Sequence, residues 1–272
     1  MCYRHPDRET GRRCTRCGKS ACSDCLRQAS VGSHCLECVG AAQPSTRERV
    51  RVNLAMGTPY VTYTLVAINI LMYLVASPGS NTWEDMGIWG VGIDLLGERH
   101  RIVTGAFVHG SVMHVGFNML LLYQLGTALE RLLGIGRFIG VFSVSLLGGS
   151  FGVLLLSQGD DFTVGASGAV FGLMAAFALI LRSRGGDIWA SGIGSLIVIN
   201  LLITFIIPNI SIGGHLGGLI AGAASGWMLD VGDRNRPPRL TNTLAAVFVI
   251  GASAALFVAS MVAAGVAVDR LR

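Results

Sequence analysis

The chain has 272 residues, of which 51% are hydrophobic and only 14% are charged. Soluble domains usually carry about 25% charged residues, so this composition excludes an ordinary soluble protein, and the low charge also excludes a disordered chain. The basic residues behind the net charge of +5 are scattered along the chain, so no nucleic-acid partner is expected. The composition predicts an integral membrane protein with a small polar N-terminal part.

The cysteines define that N-terminal part. All seven lie within the first 38 residues, and no cysteine follows. Together with His5 they form four pairs, each with two residues between its members, a spacing typical of zinc ligands rather than of disulfides. The pairs are Cys2 with His5, Cys14 with Cys17, Cys22 with Cys25, and Cys35 with Cys38.

Eight ligands suit two tetrahedral zinc ions, and a polar stretch of about 40 residues needs such metal to fold. In a cross-brace, alternating pairs would share an ion. One ion would then be held by Cys2, His5, Cys22 and Cys25, and the other by Cys14, Cys17, Cys35 and Cys38, with His34 as an alternative to Cys35. The pattern resembles B-box-type zinc fingers. A redox or disulfide cluster is disfavoured because the predicted compartment is the reducing cytoplasm.

These zinc ions are expected to be structural, since four protein ligands leave no open coordination position for catalysis. The surrounding arginines favour a protein partner or anionic membrane lipid. They are Arg4, Arg8, Arg12, Arg13 and Arg16.

Seven apolar runs follow, each near the roughly 20 residues that a helix needs to cross a bilayer. They are 60–77, 113–133, 137–157, 165–182, 188–207, 212–230 and 242–267. The segment 78–112 is too polar to cross and is predicted to be interfacial or re-entrant. The predicted domains are a zinc-binding domain (1–41), a linker (42–58), a catalytic membrane domain (59–231), and a cytoplasmic loop with one further transmembrane helix (232–272).

The basic residues predict the orientation. If the N-terminus is cytoplasmic and the runs alternate, the cytoplasmic segments hold most of the lysines and arginines, and the outer turns at 157–163 and 207–211 hold none. This asymmetry favours a multi-pass protein of the cell membrane with its N-terminus inside and its C-terminus outside.

Four polar residues lie a few positions inside the predicted outer ends of three different runs, about 5–10 Å below the membrane surface at 1.5 Å per residue. They are His114, Asn118, Ser167 and His215. Each alone has an ordinary interpretation, because membrane serines bond their own backbone and membrane histidines often only pack. Their shared depth instead indicates a functional site.

Glycines at four-residue spacing accompany two of these residues. Gly168 and Gly172 follow Ser167, and Gly218 and Gly222 follow His215. Such stripes let helix backbones come into near contact. If the two stripes face each other, the serine and the imidazole come within hydrogen-bonding reach, and that pair is the minimal activated nucleophile.

The chain resembles the rhomboid intramembrane serine proteases in three signature segments. These are H-V-G-F-N (114–118), G-A-S-G (165–168) and G-H-L-G-G-L-I-A-G (214–222), in family order, with L-G-T-A-L-E-R-L-L-G (125–134) as a further likeness. The resemblance covers residues 60–230. It implies an all-α membrane protein in which a six-helix rhomboid-like core is extended by one C-terminal helix, giving seven transmembrane helices.

The resemblance also implies roles for the polar residues. Ser167 would be the nucleophile and His215 the general base, while His114, Asn118 and the Ser167 backbone N–H would stabilise the oxyanion. No cofactor is implied for catalysis. The substrates would be single-span transmembrane proteins, cleaved near the outer face of the membrane.

The sequence departs from the family pattern in two places. Phe171 replaces a tyrosine that many relatives have beside the histidine, and His100 with Arg101 replaces a Trp-Arg pair in the segment before the second apolar run. His109 is expected to fasten that segment rather than to take part in catalysis.

Other functions fit the sequence less well. G-x-S-x-G is missing around Ser167, because Ala169 stands where glycine is required, and no H-E-x-x-H string occurs. A transporter would need a polar path across the bilayer. The alternative function is a non-catalytic rhomboid-like scaffold that binds transmembrane clients, although such relatives usually lack the serine or the histidine.

Overall fold

A computed structural model describes residues 1–29, 31–42, 57–232 and 236–272. The chain divides into two compact units, Met1–Gly57 and Thr58–Arg272. Residues 43–56, which make up most of the predicted linker, lie outside the described residues.

The N-terminal unit has little regular structure. A 3-10 turn, Ser23–Cys25, leads into the antiparallel strands β1 (Leu26–Gln28) and β2 (Ser33–Cys35), and helix α1 (Leu36–Ala42) follows. Its buried cluster consists mainly of cysteines, with Tyr3 and Leu26 packed against it. So small an apolar interior cannot stabilise a fold, and side-chain ligands must supply what hydrophobic burial does not.

Each of the seven predicted apolar runs overlaps one long helix of the second unit. These are α2 (Tyr60–Val75), α6 (Val112–Leu133), α7 (Ile135–Leu156), α8 (Ser167–Ser183), α9 (Ile193–Ile206), α10 (Ile212–Leu229) and α11 (Asn242–Asp269). Three of them, α6, α7 and α11, are long and apolar enough to cross a membrane. The helical membrane fold is therefore confirmed, while the count of seven spans stays a prediction.

The largest difference from the predicted boundaries is at α9. The sequence predicts an apolar run from residue 188, but the helix begins only at Ile193. Asp187 accepts hydrogen bonds from the backbone N–H groups of Trp189 and Ala190, and Gly192 has a φ of +81°. These features form a turn that delays the start of the helix.

The segment between α2 and α6 forms short pieces, as expected for an element that does not cross. It contains α3 (Asn81–Met86), β3 (Ile88–Trp89), α4 (Gly90–Asp94), α5 (Arg101–Thr104) and a 3-10 turn, Gly105–Phe107. Strand β3 pairs in antiparallel register with β4 (Phe162–Thr163), which lies between α7 and α8. The segment is thus hydrogen-bonded to the chain immediately before Ser167.

Arg101 organises this segment from within. Its side chain is buried, donates to Glu98 at 2.6 Å and to the carbonyl oxygens of Glu84 and Gly87, and lies over the Trp89 ring. The residue that departs from the family's Trp-Arg pair is His100, and its Nε2 lies 3.0 Å from the backbone carbonyl oxygen of Asp85.

Helix α10 lies in the middle of the membrane unit and contacts two neighbours through glycines. A Cβ added at Gly218 would overlap the carbonyl oxygen of Gly168 on α8, and one added at Gly222 would overlap the backbone of Gly172. The two predicted stripes thus face each other. A second row of α10 glycines packs on α7, where Gly213 touches Gly152 and Gly217 touches Gly148.

Charged groups fasten the opposite helix ends. Glu130, near the end of α6, accepts hydrogen bonds from the first turn of α2, namely from the backbone N–H groups of Val61 and Thr62 and from the Thr62 hydroxyl. Those N–H groups have no partner within their own helix. Asp230, after α10, forms ion pairs with Arg184 and Arg236.

Candidate active site

Three helix beginnings meet at the candidate site. Ser167 is the first residue of α8, His114 lies in the first turn of α6, and His215 lies in the first turn of α10. Ser111 and Ser211 cap the two histidine-bearing helices by accepting the N–H groups of His114 and Gly214. The caps fix where each helix starts, and hence the depth of each imidazole.

Ser167 and His215 lie on facing parts of α8 and α10. A Cβ at Gly168 would come within 3.1 Å of the Gly214 carbonyl oxygen, so the backbones touch directly beside both residues. Phe171, one turn after Ser167, stacks on the His215 ring with centroids 4.0 Å apart and planes 16° apart. The aromatic contact expected at this position is therefore present with phenylalanine.

His215 is buried, with 8% of its surface exposed, whereas Ser167 is partly exposed. Among the hydrogen bonds of the described residues, none joins the Ser167 hydroxyl to His215. Catalytic hydrogen bonds are often loose without substrate and tighten in the complex. The structure therefore places the helix ends that carry Ser167 and His215 in contact, and among the described residues it shows no hydrogen bond between the two side chains.

Nδ1 of His215 has a partner that the sequence analysis did not identify. The Thr204 hydroxyl oxygen, on α9, lies 2.6 Å from it. Thr204 lies two residues before the end of α9, and His215 lies three residues after the start of α10. The two residues are therefore at similar distances from the short turn that joins these helices. The comparison of depths that singled out the other polar residues would have found Thr204 too.

His114 is oriented toward the chain just before Ser167. Its Nδ1 accepts the N–H of Gly110 at 3.4 Å, which leaves the proton on Nε2. A Cβ on Gly165 would lie 2.6 Å from this Nε2. Gly165 also has a φ of +122°, a conformation that side chains disfavour, so glycine is required there on two grounds.

Asn118 lies one turn further along α6 and is buried. Its Nδ2 donates to the His114 carbonyl oxygen at 3.0 Å. An amide NH₂ carries two hydrogens, and the second is free for another acceptor. The structure thus joins Asn118 to His114, not directly to Ser167.

His109 fastens the loop before α6 to the residue before the serine. Its Nε2 accepts the N–H of Ala166 at 3.4 Å, and its ring meets His114 edge to face with centroids 5.0 Å apart. Burial, with a smaller contribution from His114, lowers the pKa of His109 to about 3. The neutral ring can therefore accept the hydrogen bond, which agrees with the fastening role expected from the sequence.

Comparisons with known proteins agree with this geometry. A family model described as the Rhomboid domain matches residues 96–230. The chain is 31% identical over 170 residues to YdcA, a Bacillus subtilis protein named after the rhomboid proteases; the match covers 60% of this chain and 85% of YdcA. The chain belongs to the rhomboid family.

Two longer relatives extend the rhomboid comparison. Rhomboid protease GluP of Bacillus subtilis is 35% identical over 175 residues, which is 61% of this chain but 34% of GluP. RHOMBOID-like protein 5 of Arabidopsis thaliana is 34% identical over 142 residues, 49% of this chain and 45% of the relative. This chain therefore spans less than half the length of either protein.

The rhomboid match contains every residue of the candidate active site. It reaches from the segment before α6 to the end of α10, whereas the N-terminal unit, α2 and α11 lie outside it. Together with the apolar helices, it identifies a multi-pass membrane protein of a family that includes named serine proteases.

Outside the rhomboid match, the N-terminal unit brings the predicted metal ligands together in two sets. Within each set, the ligand atoms lie within 4.8 Å of one another. The sets are Cys2, His5, Cys22 and Cys25, and Cys14, Cys17, Cys35 and Cys38. These are the cross-braced sets expected from the sequence, and His34 belongs to neither.

The donors fit metal better than disulfides. All seven cysteines are free, and Nδ1 of His5 lies 3.4 Å from the Sγ atoms of both Cys22 and Cys25. Three thiols around one imidazole nitrogen, in a unit without an apolar core, suit a tetrahedral ion.

Proposed function

We propose that this rhomboid is an intramembrane serine endopeptidase that cleaves single-span transmembrane proteins near the outer face of the membrane. One observation supports this most: Ser167 begins α8 at the point where α8 and α10 touch, and Phe171 stacks on His215 there. A hydroxyl and an oriented imidazole on adjoining helices are the parts of a nucleophilic dyad.

In the first half of the proposed reaction, the Ser167 oxygen attacks the carbonyl carbon of the scissile peptide bond. Nε2 of His215 takes the hydroxyl proton and then gives it to the leaving nitrogen as the C–N bond breaks. Water next attacks the resulting ester, His215 again takes the proton, and its return to Ser167 releases the new carboxyl end and restores the enzyme.

Three donors are proposed to stabilise the oxyanion. The Ser167 N–H has no partner within α8 because it begins the helix, where the helix dipole also favours negative charge. Nε2–H of His114 lies beside Gly165, and the second amide hydrogen of Asn118 is proposed as the third donor. Removing one such donor typically costs about 10²–10³ in rate.

The N-terminal unit is proposed to hold two structural zinc ions on the cytoplasmic side, with the C-terminus outside. The inside-outside asymmetry of basic residues supports this orientation. The exposed arginines of the unit suit an acidic protein or an anionic lipid surface. Its ions take no part in the reaction.

Cleavage of a fluorogenic transmembrane substrate by the detergent-purified full chain tests the dyad. We expect Ser167→Ala and His215→Ala each to lower kcat by about 10³-fold or more. Ser143→Ala, which removes a hydroxyl from α7, serves as the control and keeps full activity. Substrate binding without cleavage by the wild-type chain would instead support a scaffold.

A further inference from the structure

Thr204 makes the closest polar contact to the catalytic imidazole. It lies in the last turn of α9 with 2% of its surface exposed, and its Oγ1 is 2.6 Å from Nδ1 of His215 and 2.7 Å from the backbone carbonyl oxygen of Asn200. A buried hydroxyl with two polar neighbours at such distances is fully engaged in hydrogen bonding.

Counting hydrogens gives the direction of both bonds. A threonine hydroxyl has one hydrogen and two acceptor positions, and a carbonyl oxygen can only accept. The hydroxyl therefore donates to Asn200, as threonines in helices commonly do four residues back. Its oxygen then accepts at the other contact, so Nδ1 of His215 must carry the hydrogen.

We propose that Thr204 is a positioning residue that holds His215 with its proton on Nδ1, so that Nε2 is the free base for Ser167. This rests on the proposed dyad. In Ser-His-Asp triads a carboxylate fixes the tautomer and orientation of the histidine. Here a neutral hydroxyl occupies the same place on the ring. It fixes the tautomer, but it stabilises the imidazolium less than a carboxylate does.

The stacking by Phe171 does not make Thr204 redundant. Phe171 fixes the plane of the His215 ring. Rotating the ring by 180° about its bond to Cβ keeps that plane but places a carbon where each nitrogen was. The hydrogen bond from Nδ1 to Thr204 distinguishes these two orientations, and only one of them presents Nε2 to the serine.

Thr204 also links the site to α9. The buried residues of this helix are Ile193 and Gly194 at its beginning and Thr204 near its end. The hydrogen bond between Thr204 and His215 thus holds the end of α9 beside the catalytic imidazole. Displacing this end would release the imidazole.

The test compares Thr204→Val with Thr204→Ser. Valine has nearly the same shape and lacks the hydroxyl, whereas serine keeps it. We expect Thr204→Val to lower kcat by about 10- to 100-fold, between the effect of one neutral hydrogen bond and that of a lost triad carboxylate. KM should change by less than about twofold, and Thr204→Ser should keep kcat within about threefold of wild type.

A matched control comes from α6. The Thr127 hydroxyl is buried and has no hydrogen-bond partner in the described part of the chain. Thr127→Val removes this buried hydroxyl without removing any hydrogen bond found among the described residues, and it should leave kcat unchanged. An equal loss in both valine variants would contradict the assignment to Thr204.

Nitrogen-15 NMR of histidine-labelled full chain in micelles gives a readout independent of activity, with His215→Gln assigning the signal. Protonated Nδ1 is expected in wild type, Ser167→Ala and Thr204→Ser, and a mixture of tautomers in Thr204→Val. A wild-type proton on Nε2, or no change in Thr204→Val, would overturn the proposal. Because Ser167→Ala reports the tautomer without catalysis, failure of the dyad and failure of the Thr204 role are distinguishable.

Discussion

The two units of this chain are stabilised in opposite ways. The N-terminal unit depends on side chains that converge on two ligand sets, whereas the membrane unit depends on missing side chains, because glycines let α10 touch both α7 and α8. Removing a ligand from the first unit, or adding a methyl group to the second, should damage only the unit concerned. The two kinds of stability can therefore be tested separately in one molecule.

Metal removal should have the largest effect. Zinc binding contributes about 10–16 kcal/mol in zinc-finger peptides, so chelation should unfold the N-terminal unit and expose it to trypsin. Cleavage of substrate by the detergent-solubilised chain should continue. If cleavage were lost together with the metal, the claim that the two units are stabilised independently would be contradicted.

Metal analysis sharpens this prediction. The wild-type chain should carry two zinc ions, His5→Ala one, and the control His34→Ala two, because His34 lies outside both ligand sets. One ion per wild-type chain would contradict the cross-brace.

Adding a single methyl group between the helices should have the next largest effect. A Cβ at Gly222 would overlap the backbone of Gly172, so Gly222→Ala forces α8 and α10 apart. Overpacking of this kind costs about 1–3 kcal/mol. Gly251 on α11 has open space around its Cα, and Gly251→Ala should leave stability unchanged or slightly raise it. Thermal unfolding in detergent distinguishes the two variants; equal midpoints would contradict the close contact.

The ion pairs of Asp230 should give a smaller, pH-dependent effect. Burial alone would raise the pKa of Asp230, but hydrogen bonds from Arg184 and Arg236 outweigh it and hold the pKa below its usual value. These bonds therefore stabilise the fold above the ordinary carboxyl pKa of about 4, and that stability is lost as the pH falls through the lowered folded-state value.

Asp230→Asn should thus cost about 1–3 kcal/mol at pH 7. The difference from wild type should shrink as the pH falls below about 4. Unfolding at several pH values measures it, with the exposed Asp160 changed to Asn as the control. A difference that does not vary with pH would show that charge is not the cause.

The stacking of Phe171 on His215 should contribute least. Aromatic pairs add about 0.5–1.5 kcal/mol beyond their burial, so Phe171→Leu should lower kcat by about two- to tenfold, with Phe171→Tyr close to wild type. Peptidase assays on both variants make the comparison. Full activity in Phe171→Leu would show that packing on the ring is not needed.

The sequence predicted the ligand pairs and the helices well because both follow from local spacing. Pairs such as Cys22 and Cys25 lie close together on any backbone, and apolar runs indicate helices wherever they occur. The start of α9 was predicted too early, since apolar composition alone does not reveal the turn around Asp187.

Contacts between helices were harder to predict. The glycine stripe of α10 pointed to Gly168 and Gly172, but the second row could have faced any neighbour, and only the structure assigns it to Gly148 and Gly152 on α7. Thr204 was missed for a similar reason. A comparison of depths would have placed Thr204 near the site, but its contact with His215 depends on how α9 and α10 pack across their turn, and the spacing within one helix does not give that.

Covalent labelling by a serine-directed fluorophosphonate tests the central claim most directly. In the purified full chain, mass spectrometry should find the label on Ser167 of the wild-type protein and little or none on His215→Ala, because the serine is activated only by the neighbouring imidazole. Labelling at other serines alone, or equal labelling of Ser167 with and without His215, would contradict the proposed dyad.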